Sequence, residues 1–267
     1  MIVTDSSYVF AKSQNSPELK RLQTIEKVFD PATRKRILAT GLTTGWRCLE
    51  VGAGAGSIMR WMADIVGESG NVVAVDMDTR FLQDSQPSNV EILQEDIRYL
   101  ELEKHSFDLI HARFVLVHIP DFRVALSQML SMLKPGGWIV LEEPDFAAAR
   151  AIVGNSQVLQ SVNRVNQAIL QMFANKGLDY ALGVKLPAIC QRQGLQLLSV
   201  DNDTPLANGG FGIATVMKMS AMQLAQAYIA TGQANHEDIE HYCQFADDPS
   251  TWAIYHATVG VVAQQSA

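Results

Sequence analysis

Cysteine is scarce in this chain, and the three that occur have no paired spacing. Cys48, Cys190 and Cys243 stand far apart in a sequence of 267 residues, which indicates neither a disulfide framework nor a cysteine-based zinc site. Basic residues are outnumbered, since 21 lysines and arginines face 28 aspartates and glutamates, giving a net charge of −7. This balance argues against a nucleic-acid backbone as the main ligand.

Long apolar runs are also missing. No stretch approaches the roughly 20 apolar residues that a membrane-spanning helix needs, and the first ten residues do not resemble a secretory signal. From these absences we expect a cytoplasmic location and no membrane partner. The apolar fraction of 48% against 18% charged residues predicts a globular protein with a substantial core.

Strand-like and helix-like segments alternate in the first half of the chain. Five strands are predicted, at 46–51, 71–76, 90–94, 107–111 and 138–142. An amphipathic helix is predicted between the last two, at 124–133. The alternation predicts a parallel sheet with helices on both faces, and right-handed crossovers make it a doubly wound α/β fold.

The remaining segments are predicted to be mainly helical. Helical spacing indicates a helix over 17–40 that Pro31 divides in two. After Pro144 we expect helices over 150–193, a strand at 195–200, helix over 213–245 and a last strand at 257–263.

The domain organisation predicted from this pattern is simple. An N-terminal helical cap segment, 1–40, precedes one domain, 41–267, which carries helical insertions near 145–186 and 202–250. Insertions of this kind commonly form lids and pockets.

Three glycines at alternate positions follow the first predicted strand. Gly52, Gly54 and Gly56 stand between that strand and a helix-like run, 57–66. Glycine lets a backbone come close to a ligand, and the start of a helix adds unpaired N–H groups and a partial positive charge. The pattern is typical of a turn that holds a nucleotide-like cofactor.

An acidic residue narrows the cofactor to adenosine compounds. Asp76 ends the second strand about 20 residues after the loop, where a carboxylate can accept both hydroxyls of a ribose. NAD would be served equally, but the dinucleotide pattern G-x-G-x-x-G requires glycine where Ser57 stands. Tyr180 and Lys185 also miss the Tyr-x-x-x-Lys spacing. An NAD(P)-dependent oxidoreductase therefore stays the second interpretation.

Five short motifs resemble those of the class I S-adenosylmethionine-dependent methyltransferases. They are, in the family's order, 49–56 (LEVGAGAG), 73–78 (VAVDMD), 94–97 (QEDI), 107–110 (FDLI) and 133–137 (LKPGG). The resemblance implies a Rossmann-like, mostly parallel seven-stranded sheet with helical lid insertions. It also implies S-adenosylmethionine as cofactor and methyl transfer to a small-molecule acceptor. A protein that binds this cofactor without turnover is a further alternative.

The resemblance implies roles for individual residues. Glu50 would orient the glycine loop and face the amino end of the cofactor, Asp76 would hold the ribose, and Met77 would cover the adenine. Asp96 would accept a hydrogen bond from the adenine amino group. The other cofactor contacts expected are Gly52, Ala53, Gly54, Gly56, Ile97, Arg113, Tyr8 and Arg21.

Catalysis requires little of the protein's own side chains in such a reaction. A sulfonium is an excellent leaving group, so positioning and desolvation can supply most of the acceleration. A general base is needed only for an acceptor of high pKa. His118 is the candidate base, with a buried structural histidine as the alternative. Glu142 and Glu143 are expected to form a solvated strand end or to contact the acceptor.

Two kinds of partner are not indicated by the sequence. No Asn/Asp-Pro-Pro-Tyr signature follows the fourth strand, where the chain reads His-Ala-Arg-Phe from position 111, so we expect no nucleic-acid substrate. His236, His241 and His256 are too dispersed to indicate a metal site. The acceptor and the oligomeric state cannot be read from the sequence.

Overall fold

The computed structural model describes residues 9–10, 15–82 and 86–266. Tyr8, one of the predicted cofactor contacts, lies outside the described residues.

Ten strands form two sheets. The strands are β1 (Arg47–Val51), β2 (Asn71–Asp76), β3 (Val90–Gln94), β4 (Phe107–Arg113), β5 (Leu133–Asp145), β6 (Arg150–Val153), β7 (Gln196–Asp203), β8 (Ala207–Asn208), β9 (Trp252–Ile254) and β10 (Ala257–Gln264). The large sheet has the order β3-β2-β1-β4-β5-β10-β7. Its strands β1 to β5 run parallel, while β10 is antiparallel to both of its neighbours. The small sheet has the order β6-β9-β8.

Seven α-helices accompany the sheets in the part of the chain that the structure describes. They are α1 (Asn15–Leu38), α2 (Ser57–Val66), α3 (Phe122–Met132), α4 (Ser156–Asn175), α5 (Leu182–Arg192), α6 (Gly212–Ile229) and α7 (His236–Asp247). None of the helices described is long and apolar enough to cross a membrane.

Both faces of the large sheet are covered, which confirms the predicted doubly wound α/β fold. In β1, Cys48 packs into a cluster with Met59 and Met62 of α2, whereas Leu49 packs into the cluster on the opposite face. Strands buried on both faces need nearly continuous apolar runs, and β1, β2 and β4 have them.

Two predictions for the first half of the chain were wrong. Pro31 does not divide the N-terminal helix, because α1 runs through it. Proline removes one helical hydrogen bond, and the buried side chains of Phe29, Thr33 and Ile37 hold the helix against the protein on either side of that position. The fifth strand is also longer than predicted, because its pairing with β10 extends from Trp138 to Asp145.

One helical prediction for the second half needs correction, because residues 150–153 form strand β6 and not the start of a helix. The segment 213–245 is helical as predicted and contains two helices, separated where Gly232 adopts a φ of 75°. Asn235 then caps α7 and exchanges hydrogen bonds with Asp238 in a capping box. The division into a cap segment, 1–40, and a domain, 41–267, stays a prediction.

Candidate cofactor and acceptor site

A cavity of about 240 Å³ lies where the parallel strands end. The segments that follow β1, β2, β4 and β5 contribute to its wall, and α1, α4 and α6 contribute side chains opposite them. The chain passes from β1 to β2 on one side and from β3 to β4 on the other, so the strand order reverses here. Ligands of doubly wound sheets bind at such a reversal.

The glycine loop forms one wall of the cavity. Gly52 has a φ of 74°, and a Cβ there would lie 2.3 Å from a methyl carbon of Val115. Gly54 has a φ of 58°, and its N–H donates to Oδ2 of Asp76 at 2.9 Å. Only glycine adopts these conformations freely. The loop is therefore compact, and its backbone faces the cavity directly.

Asp76 connects the loop to the end of β2. Its other oxygen, Oδ1, accepts the N–H of Asp78 at 2.9 Å. Burial raises the pKa of Asp76 to about 6, although the hydrogen bonds from Asp78 and Gly54 oppose the shift. Each carboxylate oxygen can accept more than one hydrogen bond, so both remain capable of binding hydroxyl groups in the cavity.

The expected adenine contacts lie beside Asp76. Met77 is half exposed at the cavity, and Ile97 is buried there. The carboxylate of Asp96 also lines the cavity, but Arg98 holds it with donors at 2.6 Å and 3.0 Å. The arginine fixes the carboxylate and leaves it free lone pairs.

Glu50 belongs to a buried chain of charges across the sheet. Its Oε2 accepts from Nδ1 of His111 at 2.7 Å, and Nε2 of the same ring lies 3.3 Å from Oε1 of Glu142. Arg36 then donates to Oε2 of Glu142 at 2.8 Å and also pairs with Asp203. This network of charges runs from β1, next to the glycine loop, to β7 at one edge of the sheet.

The ring of His111 is positively charged in this network of buried charges. Burial lowers its pKa, but the charges of Glu50 and Glu142 and their hydrogen bonds raise it more, to about 9. Both ring nitrogens therefore donate. The sequence analysis missed this network. Its only sign in the sequence is the presence of charged residues inside otherwise apolar strands. The expectation of a solvated strand end at Glu142 was wrong, since that side chain is fully buried.

Glu143 is also fully buried, and it holds the loop that follows β4. Its two oxygens accept the N–H groups of Val115, Leu116 and Val117 at 2.7–3.1 Å. Burial raises the pKa of Glu143 to about 8, although these three hydrogen bonds favour the ionised form. The expected contact with an acceptor is replaced by this support of the cavity wall.

The same loop carries the candidate base. His118 is in the cavity wall, with its ring centroid 5.9 Å from that of Phe173. Burial lowers the pKa of His118 to about 3, helped by the charges of Arg21 and Lys176. The imidazole is therefore neutral at neutral pH and only weakly basic.

Two arginines expected at the cofactor also reach the cavity. Arg113 donates to Oγ1 of Thr33 at 2.7 Å and to Asp30 at 3.0 Å, which ties the end of β4 to α1. Arg21 pairs with Glu18 at 2.8 Å. Arg113 thus holds α1 over the site, whereas the pair of Arg21 and Glu18 lies within α1, and both arginines line the cavity.

The structure brings together most of the predicted site residues. Every described member lines the cavity except Gly56, which lies at the start of α2 with a φ of 89°. Sequence reasoning missed the aromatic part of the cavity, which we call the aromatic chamber. Its lining includes Phe29, Phe114, Phe146, Phe173, Tyr228 and His256. In the part of the chain that the structure describes, no cluster of three or more histidine, cysteine or acidic side chains could hold a metal ion.

Comparison with known proteins identifies the family of this fold. Residues 49–141 match the model of a methyltransferase domain. This segment has the domain of a methyltransferase, which bears out the resemblance to the class I S-adenosylmethionine-dependent methyltransferases. The matched segment runs from β1 into β5 and includes the glycine loop, Asp76 and Asp96. The family and fold predicted from the motifs are thereby confirmed.

Curated relatives match less than half of this chain. Demethylmenaquinone methyltransferase of Staphylococcus aureus is 33% identical over 116 residues, which are 41% of this chain and 48% of that protein. The chain thus spans about half the length of the curated relatives that it matches.

Solved structures share the fold over nearly the whole chain. A SAM-dependent methyltransferase from Aquifex aeolicus is 17% identical, with a TM-score of 0.52 over 94% of this chain and 99% of that one. Phosphoethanolamine N-methyltransferase 2 of Haemonchus contortus, solved with S-adenosylmethionine, is 16% identical, with a TM-score of 0.56 over 96% of this chain and 61% of that one.

Proposed function

We propose that this chain binds S-adenosylmethionine at the glycine loop and transfers its methyl group to a small, mainly apolar molecule. One observation carries the proposal. The wall that suits an adenosine compound and the aromatic chamber belong to a single cavity, so a cofactor and an acceptor can meet without crossing solvent.

The residues present fit this cofactor. Asp76 offers two oxygens to a ribose diol, and Glu50, held by His111, supplies a fixed negative charge for an ammonium group. Met77 and Ile97 offer apolar contact to an adenine ring, with Asp96 beside them. When bound, the cofactor supplies an electrophilic methyl group on a good leaving group.

The protein's contribution to the reaction would be positioning and the exclusion of water. The loop held by Glu143 and the helices α1, α4 and α6 enclose the chamber where the acceptor would lie. An in-line displacement gains most from such fixed placement. His118 would act as a general base only for an acceptor whose binding raises its basicity.

A small-molecule acceptor is supported by two observations. The chamber is lined mainly by aromatic and aliphatic side chains, and the similar protein from Staphylococcus aureus is named for demethylmenaquinone and not for a macromolecule. The net charge of −7 argues against a nucleic acid. A cytoplasmic location stays a prediction from the sequence.

Calorimetric titration with S-adenosylhomocysteine, NADH and NADPH in parallel tests the cofactor. We expect binding of S-adenosylhomocysteine alone; binding of only a nicotinamide cofactor would support the oxidoreductase instead. Turnover of labelled S-adenosylmethionine with a panel of apolar acceptors then distinguishes an enzyme from a protein that only binds the cofactor.

A further inference from the structure

The aromatic chamber contains a histidine to which the sequence assigned no role. His256 immediately precedes β10 and is only 4% exposed. Its ring stacks on Phe29 at 5.8 Å and meets the edges of Phe114 at 5.8 Å and Phe146 at 5.4 Å. Three phenyl rings therefore fix the plane of the imidazole. One of them, Phe114, has a φ of 57°, a backbone conformation that a bulky residue rarely adopts.

Hydrogen bonding determines which nitrogen of His256 carries the proton. Nδ1 lies 3.0 Å from the carbonyl oxygen of Ala257, and a carbonyl oxygen can only accept. Nδ1 is therefore the N–H donor, and the hydroxyl of Thr258 lies 3.5 Å from the same atom. In the neutral ring, Nε2 is then a bare acceptor.

Nothing in the described part of the protein uses this acceptor. The hydrogen bonds of His256 all involve Nδ1, and the ring lines the cavity. Burial lowers the pKa of His256 to about 4, so the ring stays neutral. Nε2 is therefore an unused acceptor on a ring that three phenyl groups hold in the cavity wall, where a ligand can supply the donor.

We propose that Nε2 of His256 accepts a hydrogen bond from a hydroxyl group of a neutral, flat methyl acceptor and thereby orients it in the chamber. This inference rests on the proposed function and adds a positioning residue and a substrate class to it. The phenyl rings supply flat apolar walls for such a ring system, and the imidazole supplies a single polar contact. Specificity of this kind arises because one polar group lies in an otherwise apolar pocket.

A pair of probes tests the proposal without knowledge of the natural acceptor. 2-Naphthol and naphthalene have the same flat ring system, and only the first carries a hydroxyl group. Their affinities are measured by fluorescence titration in the presence and in the absence of saturating S-adenosylhomocysteine. The wild-type protein should prefer 2-naphthol roughly tenfold, as one buried hydrogen bond predicts.

Two variants assign that preference to His256. In His256→Phe the ring shape remains and the acceptor is lost, so 2-naphthol and naphthalene should bind equally well, with naphthalene bound as in wild type. His256→Gln offers an amide oxygen in place of Nε2 and should keep part of the preference. His236→Phe makes the same change at an exposed position at the start of α7 and should keep all of it.

Several outcomes would overturn the proposal. These are a preference that survives in His256→Phe, no preference in the wild type, and failure of both probes to bind. Melting temperature and S-adenosylhomocysteine binding of each variant show whether it is folded. Failure of the wild type to bind S-adenosylhomocysteine would refute the proposed function, whereas the ratio of the two probe affinities alone decides the role of His256.

Discussion

Replacing Asp76 by alanine tests the proposed cofactor site most directly. The carboxylate accepts the N–H groups of Gly54 and Asp78, both at 2.9 Å, and faces the cavity with its remaining lone pairs. Alanine removes every one of these acceptors. It therefore deletes the proposed ribose contact and releases the glycine loop at the same time.

The size of the effect follows from the hydrogen bonds lost. A hydrogen bond to a charged group contributes about 1.5–3 kcal/mol, and a ribose diol would donate two. The affinity for S-adenosylhomocysteine should therefore fall by at least on the order of 100-fold. The affinity of Asp76→Asn should fall less, because the amide oxygen of asparagine still accepts a hydrogen bond. Its NH₂ group, however, then faces a backbone N–H, which is also a donor.

The pKa of Asp76 adds a pH dependence with a definite sign. Burial raises this pKa from 3.8 to about 6. The folded protein thus keeps a proton that the unfolded chain releases, and its stability without ligand should decrease as the pH rises through this window. Binding of a ribose diol favours the ionised form, so affinity should fall as the pH drops through about 6.

Calorimetric titration over this pH range checks the affinity, and urea unfolding of the ligand-free protein over the same range checks the stability. Asp76→Asn should lack most of the pH dependence of the wild type. Asp78→Asn removes the same charge from a side chain outside the cavity wall and should bind S-adenosylhomocysteine normally. A folded Asp76→Ala protein with nearly wild-type affinity would refute the assignment of this carboxylate to the ribose.

Three further predictions concern the loop and the core. Gly54→Val should abolish the binding of S-adenosylhomocysteine, as measured by calorimetry. Gly232→Ala, which is also at positive φ but outside the cavity wall, should leave this binding intact. Equal binding by both variants would contradict the prediction. His111→Leu leaves two buried carboxylates without their shared partner and should cost about 3–5 kcal/mol in urea unfolding. Because the pKa of His111 is raised from 6.5 to about 9, this stabilisation is complete below pH 6.5 and should disappear as the pH rises through 9; a pH-independent cost would show that its charge does not matter. Tyr242→Phe removes a buried hydroxyl group that has no hydrogen-bond partner in the described structure. The free energy of unfolding should therefore stay the same or rise by up to about 1 kcal/mol. A clearly lower free energy of unfolding in urea would show that the hydroxyl has a partner.

Local sequence signals were sufficient for the parallel half of the fold. The strands β1 to β4 lie close to the predicted positions, because each is a short apolar run next to a turn. The predictions failed where long-range pairing decided the outcome. Strand β5 continues to Asp145 because β10 pairs with it, and β10 comes more than a hundred residues later in the chain.

In the candidate site, too, the residues set by local sequence were predictable and those set by long-range packing were not. Gly52, Gly54 and Asp76 could be assigned from the sequence because a tight turn and a strand end impose requirements that neighbouring residues reveal. The aromatic chamber could not be assigned, since Phe29 and His256 are neighbours only after β10 has joined the sheet and α1 has packed against it.

The sequence by itself thus determined the chemistry of the proposed cofactor site, where backbone conformation and one carboxylate act over short distances along the chain. Tertiary structure alone decided which charges are buried and what surrounds the acceptor. Glu142, His111 and Arg36 lie on separate elements and become one network only when the sheet and α1 assemble. Burial then sets their protonation, because the free energy of a charge depends on its surroundings and not on its position in the sequence.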